Sequence, residues 1–178
     1  EHGKTYYLAT LLLPKEKRPH VHALYGFARF ADEIVDDLSS TLSPDQKALE
    51  LEAWSESMLQ DLKTGQSHDH IGRALVNTVQ TFQIPLEYFE AFLHSMKMDL
   101  TVTSYSSYQA LHEYVYGSAA VIGLQMVHVL GALPGKKEEA LVAAEKLGIA
   151  FQLANFIRDV GEDLERGRIY LPLDELSS

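Results

Sequence analysis

The stretch Tyr25-Gly-Phe-Ala-Arg-Phe-Ala-Asp-Glu-Ile-Val-Asp-Asp37 limits the fold more than any other part of the chain. It sets four acids, Asp32, Glu33, Asp36 and Asp37, into six positions. A helix turns about 100° per residue, so Asp32 and Asp36 share a face about one turn apart. Like charges at that spacing cost a few tenths of a kcal/mol (roughly 0.2–0.5) unless cations or solvent offset them. Val21, Leu24, Phe27, Ala28, Ala31, Ile34, Val35 and Leu38 form an apolar stripe at helical spacing. The arc of Tyr25, Arg29, Asp32 and Asp36 borders that stripe, whereas acids on a solvated face would lie opposite it. The pattern therefore places the acid pair at the rim of a core or on a cavity wall. An ordinary acidic helix surface is the competing reading of this stretch alone.

The rest of the chain repeats the helical period. Residues 5–13 read as a short apolar helix ended by Pro14, and Pro19 suits the first turn of the helix that carries the acids to about Leu38. Ser43-Pro44 opens a third helix whose core side is expected at Leu49, Leu51, Trp54, Met58, Leu59 and Leu62. Residues 64–72 read as loop and 73–82 as helix. The His68-x-His70 pair in that loop reads as solvated. Pro85 restarts a helix with Phe89, Phe92, Leu93 and Met96 inward. One long apolar helix is expected from Tyr108 to Leu130, and another from Lys137 to Glu165. Ile169-Tyr-Leu-Pro172 leaves in extended form. No segment alternates with period two, so the fold class is all-α.

Composition excludes several functions. The 178 residues suit one domain with a real core. The net charge of -10 and the scattered Lys and Arg argue against nucleic acid as a partner. Without cysteine there is no disulfide framework and no thiolate chemistry, which fits a reducing, cytoplasmic setting. No run approaches about 20 consecutive apolar residues, so no membrane span is expected. A di-iron bundle would carry Glu-x-x-His pairs, and the chain has none.

A second acidic motif, Gln152-Leu-Ala-Asn-Phe-Ile-Arg-Asp-Val-Gly-Glu-Asp163, follows the logic of the first. Asn155, Asp159 and Asp163 step by four, with Gln152 in the same arc and Arg158 beside it. The other sides are apolar, so the helix is expected to be buried with one polar stripe along a cavity. Carboxylate and amide oxygens are hard ligands that suit Mg²⁺, which keeps waters and takes phosphate oxygens too. Arg29 and Arg158 supply guanidinium forks that grip phosphate. Together these residues describe a diphosphate site.

At these motifs the chain resembles the phytoene/squalene synthase family of head-to-head prenyl transferases, with their all-α isoprenoid-synthase fold. The resemblance rests on Asp32-Glu-Ile-Val-Asp36 and on Asn155 to Pro172. His2-Gly-Lys-Thr-Tyr6, Leu24 to Arg29 and Tyr114 to Gly123 support it in the same order. Ala31 to Asp37 is more similar to bacterial phytoene synthases than to squalene synthases. The resemblance implies a domain that continues through further closing helices beyond residue 178. It implies Mg²⁺ or Mn²⁺ on Asp32, Asp36, Asn155, Asp159 and Asp163. Diphosphate contacts would come from Arg29, Arg158, His2, Thr5 and Arg168, and Tyr25, Tyr114, Gln152 and Tyr170 would line the reacting centre. The implied reaction joins two geranylgeranyl diphosphates into phytoene without NADPH, in carotenoid biosynthesis. The alternatives are squalene or dehydrosqualene synthesis from farnesyl diphosphate, or an inactive helical module that binds lipid or a partner. A water-insoluble product would bring the protein to a membrane surface, although no basic amphipathic helix marks a contact. Gly117, Ala119, Ala120 and Gly123 remove volume from a central helix, for a prenyl tail or for close helix packing.

Overall fold

A computed structural model describes residues 4–36 and 41–176, with the side chains of residues 4, 5 and 36 left aside. Nine α-helices are described: α1 (Lys4–Thr10), α2 (Arg18–Asp36), α3 (Pro44–Thr64), α4 (His70–Phe82), α5 (Leu86–Asp99), α6 (Tyr108–Val115), α7 (Val121–Leu130), α8 (Lys137–Glu165) and α9 (Leu173–Leu176). Among the described residues there is no strand, only an isolated parallel bridge between Ser104 and Ile169.

Local chemistry explains most boundaries. Ser43 accepts from the Gln46 backbone N–H, and the Gln46 side chain accepts from the Ser43 N–H. This reciprocal cap, with Pro44 next, starts α3 where the sequence indicated. Gly65, in the left-handed region at φ 71°, ends it by donating to the Asp61 carbonyl. Asp69 caps α4 through the Gly72 N–H at 2.8 Å, so that helix begins before residue 73. His68 and His70 are exposed on either side of this cap.

The main core forms around α2. Phe27 is fully buried, with ring centroids of Phe89 and Phe92 at 5.3 Å and Trp54 at 5.5 Å. Such a ring contributes about 1.5–3 kcal/mol by burial alone. Val21, Leu24, Ala31 and Val35 bury on the same side, as the stripe requires. Phe89, Phe92, Leu93 and Met96 of α5 face inward as expected. On α3, Leu51, Met58 and Leu62 are buried, but Leu49 is 67% exposed. Leu49 is roughly 200° from Leu51 on the helical wheel, so the two cannot share a core face.

Three expectations need correction. The segment 108–130 is not one regular α-helix, because a π-helical turn at Tyr116–Ala120 separates α6 from α7. The turn lies against α5: a Cβ on Gly117 would overlap the Ala91 carbonyl oxygen and Ser95 Oγ. Ser95 Oγ donates to the Tyr114 carbonyl at 2.9 Å, holding one of the carbonyls ahead of the turn. Second, α8 is not buried all round. Phe156 is its one buried residue among those described, and Val142, Leu147, Phe151, Ile157 and Leu164 are exposed. Phe156 reaches Tyr114 and Tyr170, and the other neighbours of α8 among the described residues lie mainly along one flank, toward α7 and the π turn. There Gly123 and Gly148 allow near backbone contact, with would-be Cβ atoms 2.5 Å from Ala144 O and 2.7 Å from Ala119 O. By length and composition α8 is also apolar enough to cross a membrane, contrary to expectation. Three of its polar residues, Asn155, Asp159 and Asp163, instead line a cavity.

Candidate active site

α2 and α8 approach the same cavity of about 500 Å³ from opposite ends of the chain. α2 contributes Tyr25, Arg29 and Asp32, and α8 contributes Gln152, Asn155, Asp159 and Asp163. The floor is apolar, with Val21, Leu24, Phe92 and Met96. Asp32 of the first acidic motif and the polar stripe of the second thus open on one space. Tyr25 is held by Tyr6, whose ring stacks on it at 4.0 Å and whose hydroxyl donates to the Val21 carbonyl at 2.7 Å.

The charges are arranged in pairs. Arg29 donates through Nη1 to Asp32 at 2.7 Å and through Nε to Glu33 at 3.0 Å. Arg158 donates to both oxygens of Asp159 at 2.6 Å, and this bond holds the Asp159 carboxyl below its usual range. Asp163 is pushed the other way, first by burial and then by the charge of Asp159. A carboxyl raised by burial and by a neighbouring acid marks a place where added positive charge would be favourable.

Among the described residues, no three His, Asp or Glu side chains converge into a preformed metal cage. Mg²⁺ does not require one, because it typically binds through one or two carboxylates, waters and substrate phosphates. Asp32 on one wall and Asp159 and Asp163 on the other, all oxygen donors, fit that mode. Asn155 adds an amide oxygen, and its Nδ2 lies 3.5 Å from Gln152 Oε1. On the α2 side the backbone of Asp36 is described and its side chain is not.

The third wall is aromatic. Phe156 and Tyr170 stack in parallel at 4.3 Å and 4°, and Tyr114 lies 5.6 Å from Tyr170. The strap 166–172 delivers Tyr170 and Arg168. It is pinned by Arg168 N–H to the Asp163 carbonyl at 2.8 Å and by Ile169 N–H to the Thr103 carbonyl at 2.8 Å. Asp99, the last residue of α5, accepts the Tyr114 hydroxyl at 2.7 Å and the Tyr170 hydroxyl at 3.1 Å. Burial, then the Asp99 charge, raises both phenols, Tyr170 to about 12 and Tyr114 well above the ordinary tyrosine value.

Some expected residues do not line this space. Arg158 is 69% exposed and turns along the outside to Asp159. Gly117 and Ala120 are buried in helix packing against α5 and α8, away from the cavity. Ala119 and Gly123 instead line an apolar groove of about 510 Å³ between α7 and α8, which shares Ser118, Ile122, Met126 and Gln152 with the first cavity. His2 lies outside the described residues, as does the side chain of Thr5. The sequence reading missed Tyr6, Asp99, Gln125 and Arg166, all on the cavity wall. Only Arg166, four residues before Tyr170 in the second motif's tail, carried a local signal.

A family model described as squalene/phytoene synthase matches residues 1–178. The chain belongs to the squalene/phytoene synthase family. Among curated relatives, phytoene synthase 2, chloroplastic, of Oryza sativa subsp. japonica is 43% identical over 181 residues, covering 99% of this chain and 44% of that protein. Phytoene synthase, chloroplastic, of Daucus carota is 43% identical over 180 residues with the same two coverages, 99% and 44%. The chain therefore spans under half the length of these relatives. Two solved structures share its fold at a TM-score of 0.85. Squalene synthase HpnC from Alicyclobacillus acidocaldarius is 27% identical, covering 99% of this chain and 64% of that one. A dehydrosqualene synthase in complex with ligand is 31% identical, covering 99% and 59%. The all-α isoprenoid-synthase fold expected from the sequence is the fold observed. Within that family fold, Asp32 of α2, the acids of α8 and the aromatic wall line one cavity.

Proposed function

We propose that the protein to which this chain belongs joins two geranylgeranyl diphosphates head to head, forming phytoene through a cyclopropyl diphosphate. The observation that carries this reading is the meeting of Asp32 from α2 with Asn155, Asp159 and Asp163 from α8 on one cavity with an apolar floor and an aromatic wall. Magnesium, held by Asp32, Asp36, Asn155, Asp159 and Asp163, would supply neutralising charge to the diphosphates. Arg29, Arg166 and Arg168 on the cavity wall would hold diphosphate oxygens. Arg158, His2 and Thr5 belong to the same proposal as rim contacts.

The chemistry asks four things of the protein. It must orient the C–O bond of one substrate, so that its electron pair leaves with diphosphate. It must bring the second substrate's double bond onto the resulting allylic carbon. Tyr25, Tyr114, Phe156 and Tyr170 would present ring faces to the cationic carbons. The apolar floor excludes water that would capture the cation. The prenyl tails fit the apolar floor and the adjoining groove at Ala119 and Gly123, in place of the Gly117 and Ala120 positions. A second ionisation, rearrangement and proton loss complete phytoene without a reductant.

The squalene and dehydrosqualene synthases among the solved neighbours favour a second reading, with farnesyl diphosphate as substrate. Incubating the full-length protein with each prenyl diphosphate and Mg²⁺, with and without NADPH, and identifying the hydrocarbon separates the two. Asp32→Asn and Asp159→Asn should each abolish Mg²⁺-dependent diphosphate release, and near-normal turnover in either would reject the metal role. No release from the unsubstituted full-length protein would favour a non-catalytic lipid-binding module.

A further inference from the structure

Asp99 sits where an acid is unwelcome. It ends α5, and a negative charge at a helix C-terminus opposes the helix dipole by about 0.3–1 kcal/mol. Its side chain is 10% exposed, which adds a desolvation cost. Partners from distant segments offset both. Tyr114, 15 residues on, donates to Oδ2 at 2.7 Å, and Tyr170, 71 residues on, donates to Oδ1 at 3.1 Å. The Arg168 guanidinium lies 3.7 Å from Oδ1 and also donates to the Asp99 carbonyl at 2.9 Å and to the Tyr170 hydroxyl at 3.0 Å. One carboxylate thus ties α5, α6 and the strap 166–172 together at the cavity wall.

We propose that Asp99 is a positioning residue for prenyl transfer: by accepting both hydroxyls it sets the rings of Tyr114 and Tyr170 against the reacting carbons and holds their oxygens away from them. This inference rests on the prenyl-transfer reading above. A phenol oxygen free to turn into the cavity would compete, as a nucleophile, for an allylic cation. A phenol whose O–H is committed to a buried carboxylate keeps its oxygen at the wall and gains electron density in its ring, which strengthens the attraction of the ring face for a cation. Phe156, stacked on Tyr170, fixes that ring from the other side. Both phenols are protonated at neutral pH, as this donation requires, and burial and the Asp99 charge raise them further.

The test uses the full-length enzyme with Mg²⁺ and geranylgeranyl or farnesyl diphosphate, whichever it turns over. Asp99→Asn keeps the shape and loses the charge. It should lower kcat by about tenfold or more with KM within about twofold, and leave part of the protein carrying one prenyl group, read by intact mass, because a phenol oxygen that captures the cation loses its proton and keeps the prenyl group as an ether. Spectrophotometric titration should show the last, highest-pH phase of tyrosine ionisation moving down in this variant, and the kcat loss at unchanged KM separates positioning from a purely structural role. Tyr170→Phe keeps the ring and removes one donor; it decides the matter if Asp99→Asn fails to fold, and should also lower kcat at unchanged KM. A folded Asp99→Asn with kcat within about twofold of the parent would overturn the inference, and so would a loss carried by KM. An unsubstituted enzyme that releases no diphosphate would instead remove the functional reading, and this inference with it.

Discussion

Replacing Gly117 by alanine tests the helix packing that holds the aromatic wall. A Cβ there would fall inside van der Waals contact of the Ala91 carbonyl oxygen and of Ser95 Oγ, and 2.9 Å from the Ala91 carbonyl carbon. Two of these atoms are backbone of α5 and cannot rotate away. Ser95 can move only by giving up its 2.9 Å bond to the Tyr114 carbonyl. Overpacking of this kind costs about 1–3 kcal/mol, and the lost hydrogen bond about 0.5–1.5 kcal/mol. Against this, alanine in a helix gains about 0.5–1 kcal/mol over glycine. The packing penalty wins, by about 2 kcal/mol net. Gly26, inside α2, supplies the control, because nothing lies within 4 Å of its would-be Cβ. Gly26→Ala should therefore stabilise by about 0.5–1 kcal/mol. Urea unfolding of both variants beside the parent, at equal m-value, reads the two signs directly. A Gly117→Ala protein as stable as the parent would show that α5 and the π turn are not in contact as described, and would reopen Gly117 as a tail-binding position.

The buried Gln125 and the half-buried His128 give two further tests. Gln125 is 1% exposed, and both its amide atoms are buried without a hydrogen-bond partner among the described residues. Gln125→Met should raise the urea midpoint by the equivalent of about 1–3 kcal/mol, and a fall would show that the amide is well paired. Burial lowers the pKa of His128 below its usual 6.5, despite its ring nitrogen lying 3.3 Å from the Phe82 carbonyl. The unfolded chain then takes up the proton more readily, so this contribution is full above 6.5 and is lost as pH falls through the folded-state value. The parent should lose more stability than His128→Gln on going from about pH 7.5 to about pH 5.5, and equal losses would contradict the assignment.

What the sequence revealed was local, and what it hid was tertiary. The Ser43–Gln46 cap and the limits of α8 depend on neighbours within four residues, and both were readable. The two acid rows were readable because their spacing of four is itself a helical fact. Asp99 was not readable. It is a lone acid before a leucine, and its meaning comes from hydroxyls 15 and 71 residues away. Arg158 is adjacent to Asp159 but outside the cavity, because successive helical residues point about 100° apart and Asp159 is the one that faces inward.

The exposed flank of α8 shows the same limit on a larger scale. Its apolar residues occur all round, which in isolation reads as a buried helix. Periodicity reports which side chains favour burial, not which neighbours supply it. Among the described residues α7, the π turn, α6 and the strap supply burial, along one flank of α8 and around Phe156. The polar stripe is the part of α8 whose surroundings are defined. Its acids face Asp32 across the cavity although more than 120 residues separate them in sequence. That juxtaposition, rather than either motif alone, is the ground on which the proposed diphosphate site rests.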